Sequence, residues 1–338
     1  MCRGKPQPDL SILAPALPVL ADILFQNRDI DTMVDATWAL SYISDGEDMR
    51  IEAVLKTGVI PYLTNILRSD NVQAVVPSLR TLGNIVSGDD RQTQSVLDSN
   101  VLSALVPLLS HAKKNIRKET CWLLSNIAAG TVDQLTELVN TPSLLQRVLE
   151  QMSSTAEWDV RREACWVVSN VASVGQCAHI HNKLIEYGAL TPLCELLTTA
   201  DVKIVMVAME ALESILKLAT PDTLKRYIQL IDEAGGIDNL ENLQEHADNK
   251  VYKKASQIII KYFGGGDDED ESENIAPATT QNNGHTTFAF GLDPVKWQAP
   301  LNGNGSINSN GSNCNGQKQF NNNNSFMNQQ PSGFSFGN

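Results

Sequence analysis

The chain has 338 residues, of which 42% are hydrophobic, and it carries a formal net charge of −13 at pH 7. This acidity argues against binding to nucleic-acid backbones, which requires clustered Lys and Arg, and it favours basic partners. No run of 18 apolar residues is present, so no membrane-spanning helix is predicted. The six cysteines form no C-x-x-C motif. Cys121 and Cys165 both stand next to a Trp on an inferred core face, which predicts buried, reduced thiols.

In chain order, residues 1–8 are interpreted as a residual linker, and Asp9 or Ser11 is a candidate cap for a helix reaching about residue 27. Gly58, Asn100 and Gly188 stand at helix breaks, where the left-handed conformation of such residues ends a helix. Further helices are predicted at residues 32–44, 52–55, 58–67, 72–86, 101–109, 116–130, 144–152, 160–173, 190–197 and 204–218. Gly235 and Gly236 open the last unit, which is predicted to end near Phe263.

Two of these helices are close copies, IRKETCWLLSNIAAG at residues 116–130 and VRREACWVVSNVAS at residues 160–173. In the first copy Glu119, Trp122 and Asn126 are spaced i, i+3 and i+7, which places them on one narrow arc of a helix. Apolar residues occupy the other faces and are predicted to be core. The second copy repeats the arc and the core at these positions: Glu163, Trp166 and Asn170 on the arc, Cys165, Val168 and Val171 in the core.

The same two arc positions recur along the chain at spacings of 42 to 44 residues. A period in the low forties that contains only helical segments is typical of armadillo or HEAT repeats. We therefore predict an all-α fold, a right-handed armadillo-repeat superhelical solenoid of about six units over residues 9–263. The Trp position reads Trp38, Arg80, Trp122, Trp166 and Glu210, and the Asn position reads Tyr42, Asn84, Asn126, Asn170 and Ser214.

The composition changes abruptly after Phe263. Residues 267–273, DDEDESE, hold six acids in seven positions, and the remaining tail is rich in Asn, Gly and Ser with few aliphatic residues. Such a segment cannot bury enough apolar surface to offset its ordering entropy. Residues 264–338 are therefore predicted to form a disordered tail.

The repeated Glu, Trp and Asn residues suggest a peptide-binding face on the solenoid. Asn side chains can hydrogen-bond to the backbone of an extended peptide. The stems of long cationic side chains can lie between indole rings, which attract the charged heads, and glutamates on a solvated rim can pair with those heads. The predicted ligand is an extended Lys/Arg-rich peptide.

These segments, together with LSYISDGEDMRIEAVLKTGVIPYL, LRTLGNIVSGDDRQTQSVL and the terminal GGIDNLENLQEHADNKVYKKASQIIIKYF, resemble the importin-α family over about residues 1–270. Members of that family are nuclear import adaptors that read basic localisation signals. The resemblance implies the family's minor signal-binding site here, with Trp38 and Tyr42 matching the repeat just past the major site. The implied minor-site residues are Arg80, Asn84, Val86, Thr93, Glu119, Trp122, Ser125, Asn126, Glu163, Trp166 and Asn170.

The resemblance also implies partners and a location. Basic localisation-signal cargo is expected along the ladder, the export receptor that recycles the adaptor is expected at the last repeats, and the protein is expected to shuttle between cytoplasm and nucleus. The family's importin-β-binding segment and early repeats are not matched, so binding of importin-β is not expected. The closing FSFG at residues 334–337 suggests nucleoporin contacts.

Other classes of function are weighed against this reading. The main alternative is a catenin-like armadillo scaffold that binds acidic partners through a basic groove. No catalytic motif is found, so no enzyme activity and no cofactor are predicted. His179 and His181 are too close in sequence to share a helix face and are interpreted as solvated loop residues rather than metal ligands.

Overall fold

The fold is seen in a computed structural model, which describes residues 2, 6–26, 29–174, 177–264, 279–282 and 285–288. A single 3-10 turn, Ala14–Ala16, separates the first two α-helices. The α-helices of the described residues are α1 Leu10–Leu13, α2 Leu17–Gln26, α3 Ile30–Ile43, α4 Asp48–Leu55, α5 Ile60–Leu67, α6 Val72–Val86, α7 Asp90–Leu97, α8 Val101–Leu108, α9 Lys114–Ala128, α10 Val132–Asn140, α11 Leu144–Glu150, α12 Trp158–Ala172, α13 Ala178–Glu186, α14 Leu190–Leu196, α15 Val202–Lys217, α16 Pro221–Glu233, α17 Gly236–Leu243 and α18 Asn249–Tyr262.

From α4 onward the helices form sets of three, each with two shorter helices and one long helix. The long third helices α3, α6, α9, α12, α15 and α18 pack side by side in sequence order. Each third helix therefore buries one side against its predecessor and the other against its successor. This stacking is how a repeat that has too little core of its own is stabilised by its neighbours, and it confirms the predicted solenoid.

The first helix is interrupted where a continuous helix was predicted. Pro15 and Pro18 lack the backbone N–H that an α-helix needs in its interior, and the chain passes from α1 through the 3-10 turn into α2 at this point. The Asp9 carboxylate caps α1 by accepting the Ser11 N–H at 2.8 Å, as predicted. The third helix of the first unit begins at Ile30, two residues before the predicted start, because Asp29 caps it through the Thr32 N–H at 2.8 Å.

A left-handed residue precedes the second helix of each three-helix set. Gly58 and Asn100 have φ of 73° and 57°, as their residue types predicted. Ser143 fills the equivalent turn with φ 62°, which sequence reasoning did not predict because Ser adopts this conformation less readily. Gly188 and Gly235 complete the series with φ of 77° and 66°.

The predicted core faces of the two copied helices are buried. Cys121 and Cys165 are fully buried thiols among aliphatic side chains, and neither forms a disulfide. Burial raises the pKa of the Cys165 thiol to about 12, so this group stays protonated and acts as a small apolar side chain. The aliphatic members of both faces have no exposed surface: Leu124, Ile127, Val168 and Val171.

In the described part of the tail, β1 Thr279–Asn282 pairs antiparallel with β2 His285–Phe288, with Thr280 opposite Thr287. The composition of this region did not predict these strands. The rest of the segment predicted to be disordered, including the FSFG at residues 334–337, lies outside the described residues. No helix in the described parts of the chain is long and apolar enough to cross a membrane.

Candidate functional site: a ladder of Trp, Asn and Glu

The copied helices α9 and α12 pack against each other and place their Glu, Trp and Asn side chains on one face. We call the side chains at the repeated Glu, Trp and Asn positions of the third helices the ladder. Trp166 is half-buried, whereas Trp122 is only 8% exposed and therefore lies deeper than predicted. At the start of the ladder the rings of Trp38 and Tyr42 are stacked, with centroids 5.8 Å apart.

The three ladder asparagines bond each third helix to the one before it. The side-chain N–H of Asn126 donates to the carbonyl oxygen of Gly83 at 3.3 Å, and that of Asn170 donates to Ser125 O at 2.8 Å. The side-chain N–H groups of Asn84 donate to Ser41 O and to Ser44 Oγ, both at 3.0 Å. Within the described residues the three Oδ1 atoms accept no hydrogen bond. These bonds fix the amide planes and leave each oxygen as an acceptor for a ligand N–H.

The ladder glutamates are buried, not solvated as predicted. Glu119 is 8% exposed and Glu163 is 9% exposed. Lys118 approaches Glu119 Oε1 only to 3.8 Å, and the other oxygen, Oε2, is buried without a hydrogen-bond partner in the described structure. A buried carboxylate oxygen with no donor is costly to keep ionised. A cationic group of a ligand would remove that cost.

The electrostatics of the two carboxyls reflect this burial. Burial raises the pKa of Glu119, and the positive charges of Arg80 and Lys118 oppose the rise. Burial also raises the pKa of Glu163, and the neighbouring charge of Glu119 adds to the rise. Arg162 lies 3.6 Å from Glu163 Oε1, and the positive charges of Arg162 and Lys118 oppose the rise in the pKa of Glu163. The charge of Glu119 on α9 thus acts on Glu163 on α12, and burial is the main cause of both raised pKa values.

Other predicted site residues take supporting positions. Val86 and Thr93 are both 3% exposed, and the Thr93 hydroxyl donates to Val86 O at 3.2 Å, so this pair joins α6 to α7. The Ser125 hydroxyl is buried and donates to Trp122 O at 2.8 Å, while its carbonyl receives Asn170. Arg80 is half-buried at the Trp position of α6 and close enough to Glu119 to affect its pKa.

Sequence reasoning missed the residues that seat the ladder. Gly83, Lys118 and Arg162 all contact or charge-stabilise ladder side chains. The sequence held a signal for Gly83, because the residue just before each of the first four members of the Asn series, Tyr42, Asn84, Asn126 and Asn170, is small. This column, which we call the small-residue column, reads Ser41, Gly83, Ser125 and Ser169.

The interpretation of His181 as a solvated loop residue is wrong. It lies on α13, is 4% exposed, and its Nε2 and Nδ1 atoms are 2.7 Å and 3.1 Å from Ala172 O and Cys177 O. It therefore ties α13 to the end of α12. His179, two residues earlier, is exposed on the same helix. Within the described residues, no group of three or more His, Cys, Asp or Glu could hold a metal ion.

Stacked third helices bearing a Trp and Asn ladder define an armadillo-repeat protein, and comparison with known proteins agrees. Residues 89–129 match the Armadillo/beta-catenin-like repeat family, and residues 225–278 match the Atypical Arm repeat family. Among solved structures, a designed armadillo repeat protein in complex with the peptide (KR)4 superposes with a TM-score of 0.65 at 29% identity. That match covers 72% of this chain and 98% of the designed one.

The curated relatives narrow this class to one family. Importin subunit alpha-4 of Arabidopsis thaliana is 43% identical over 310 residues, covering 89% of this chain and 56% of the relative. Importin subunit alpha-1a of Oryza sativa subsp. japonica is 41% identical over 297 residues, covering 86% and 55%. These matches confirm the resemblance to the armadillo portion of the importin-α family. The chain spans about half the length of these relatives.

Proposed function

We propose that the ladder binds extended Lys/Arg-rich peptide segments, and that the protein acts as a nuclear import adaptor for cargo with basic localisation signals. The observation that carries this proposal is the face of α9, where the Glu119 carboxyl, 8% exposed and without a hydrogen-bond donor to its Oε2, lies one turn before Trp122 and two turns before Asn126. A Lys or Arg head is the ligand group that suits such a carboxyl while its stem covers an indole.

Four further facts support the proposal. The free Oδ1 atoms of the ladder amides suit the backbone N–H groups of an extended chain. A structural neighbour was solved with the alternating basic peptide (KR)4, and the curated relatives are importin α subunits. The net charge of −13 attracts basic ligands over longer distances.

The wider set of partners is proposed on the family resemblance alone. We propose cargo at the ladder, the export receptor at the last repeats, and shuttling between cytoplasm and nucleus. Contacts with nucleoporins are proposed as well, whereas binding of importin-β is not part of the proposal. Of these proposals, the geometry of the ladder supports only the binding of cargo. A binding function, rather than catalysis, is the one that the ladder supports.

Titration of a fluorescent (KR)4 peptide against the full chain tests the proposal. We expect saturable binding of (KR)4, and part of the affinity should persist at 1 M salt because buried ion pairs are screened less than exposed ones. A matched (ED)4 peptide serves as the control and also tests the catenin-like alternative. Preference for (ED)4, or no saturable binding of (KR)4, would refute the proposed ligand class.

Binding should also depend on pH. Because burial raises the pKa values of Glu119 and Glu163 above the ordinary 4.5, these carboxyls hold protons at a higher pH than exposed glutamates do. A cationic ligand favours their ionised forms, so affinity should rise with pH by up to about tenfold per pH unit for each proton released. The free energy of unfolding should change in the opposite direction, because the folded state binds these protons more tightly than the unfolded state.

Isothermal titration calorimetry in buffers of different ionisation enthalpy measures the released protons directly. The matched control is the double variant Glu119→Gln with Glu163→Gln, for which proton release should vanish. Equal proton release by the wild type and this variant would show that other groups titrate on binding.

A further inference from the structure

Gly83 lies inside α6, where its backbone is helical and no positive φ requires glycine. A Cβ atom at this position would come within 2.2 Å of Trp122 Cζ3, 2.7 Å of Cε3 and 2.9 Å of Cη2. Real Cβ atoms do not approach other atoms closer than 3.0 Å. The indole of α9 therefore rests against the bare backbone of α6.

The same glycine also contacts the second ladder residue of α9. Its carbonyl oxygen accepts the side-chain N–H of Asn126 at 3.3 Å. Trp122 and Asn126 are one turn apart on α9, so a single residue of the preceding helix fixes both. Glycine is among the least favourable residues in a helix interior, so its presence here needs a reason in packing.

The small-residue column shows what is particular to this repeat. Its other members, Ser41, Ser125 and Ser169, carry a side chain, and the indole of the repeat after Ser125, Trp166, stays half-buried. Above Gly83, Trp122 sinks to 8% exposure. The depth of the ring thus follows the absence of a side chain at position 83.

We propose that Gly83 is a positioning residue of the ladder, which sets the depth of the Trp122 indole and the orientation of the Asn126 amide. This inference rests on the proposed function in so far as the positioned side chains bind a basic peptide. With a methyl group at position 83 the ring has to move outward. The hydrogen bond from the Asn126 side chain to Gly83 O is then strained.

The test is Gly83→Ala in the full chain labelled with 5-fluorotryptophan, with Trp122→Phe used to assign the resonance. Fluorine NMR should show the Trp122 resonance shifted and more sensitive to exchange from H₂O to D₂O. The Kd for (KR)4 should rise roughly two- to thirty-fold, which is the range expected when one cation–π contact is lost. Ser169→Ala is the matched control, because Ser169 belongs to the same column but the next repeat has Glu210, not Trp, at the Trp position. It should change neither the Trp122 resonance nor the Kd for (KR)4.

Alanine favours helix over glycine, so an effect through helix propensity alone would raise thermal stability and leave the Trp122 resonance in place. If Gly83→Ala unfolds the chain, Gly83→Ala with Trp122→Phe supplies the second variant, because the smaller ring relieves the clash and should restore folding. An unchanged Trp122 resonance in Gly83→Ala overturns the inference. If the wild type fails to bind (KR)4, the proposed function falls, and the resonance still decides whether Gly83 seats the ring.

Discussion

Replacing Trp166 with alanine should weaken (KR)4 binding by about 30-fold or more while changing thermal stability little. Large aromatic residues that contact a ligand cost about 2 kcal/mol or more when truncated, and about 1.4 kcal/mol corresponds to tenfold in affinity. Trp166 is half-buried on the ladder, so its loss removes a stacking surface without leaving a deep cavity. Fluorescence anisotropy and thermal unfolding measure the two quantities.

Trp158→Ala is the matched control, because this tryptophan begins the same helix, is 37% exposed and is not part of the ladder. It should bind (KR)4 like the wild type. Trp122→Ala should differ from both, since truncation of a buried aromatic residue costs about 3–5 kcal/mol of stability in addition to any loss of binding. Wild-type affinity in Trp166→Ala would remove this ring from the binding face.

The second large effect on (KR)4 affinity is expected from the buried carboxyls of Glu119 and Glu163. Glu119→Gln with Glu163→Gln should lower (KR)4 affinity by roughly two to four orders of magnitude, because two hydrogen bonds to charged groups are lost and each contributes about 1.5–3 kcal/mol. The same variant should unfold at a higher temperature than the wild type at neutral pH. Burial disfavours the ionised carboxyls, as their raised pKa values show, and neutral amides avoid this cost.

The control for this variant is Glu137→Gln with Glu186→Gln, which makes the same change in net charge at exposed positions on α10 and α13. It should change affinity less than threefold, a shift of roughly 0.6 kcal/mol. The contrast separates a local contact from long-range attraction. Equal losses in the two double variants would mean that net charge alone governs binding and that the buried pair has no special role.

The repeat pattern predicted the solenoid because the spacing of apolar residues carries the helix period and the Trp and Asn series carries the repeat period. Residues 72–86 were predicted with the bounds that α6 has. The structure differs from the prediction where single residues determine the local backbone. Pro15 and Pro18 interrupt the first helix, and Ser143 adopts a left-handed conformation that its residue type disfavours.

The ladder residues were predicted, but their depth was not. Helical spacing gives the direction of a side chain and says nothing about how closely the next helix approaches. Trp122 is buried because α6 and α9 pack closely at Gly83, a contact between residues distant in sequence. His181 was misjudged for the same reason, because the end of α12 that buries it comes from the preceding repeat.

The bonds from Asn84, Asn126 and Asn170 run in one direction, each from a repeat to the one before it. They therefore belong to the interfaces between repeats, and it is these interfaces that make a solenoid unfold cooperatively rather than unit by unit. A peptide held by two successive amides bridges an interface from outside. Such a peptide would link neighbouring repeats, so the solenoid with its peptide should bend less than the solenoid alone.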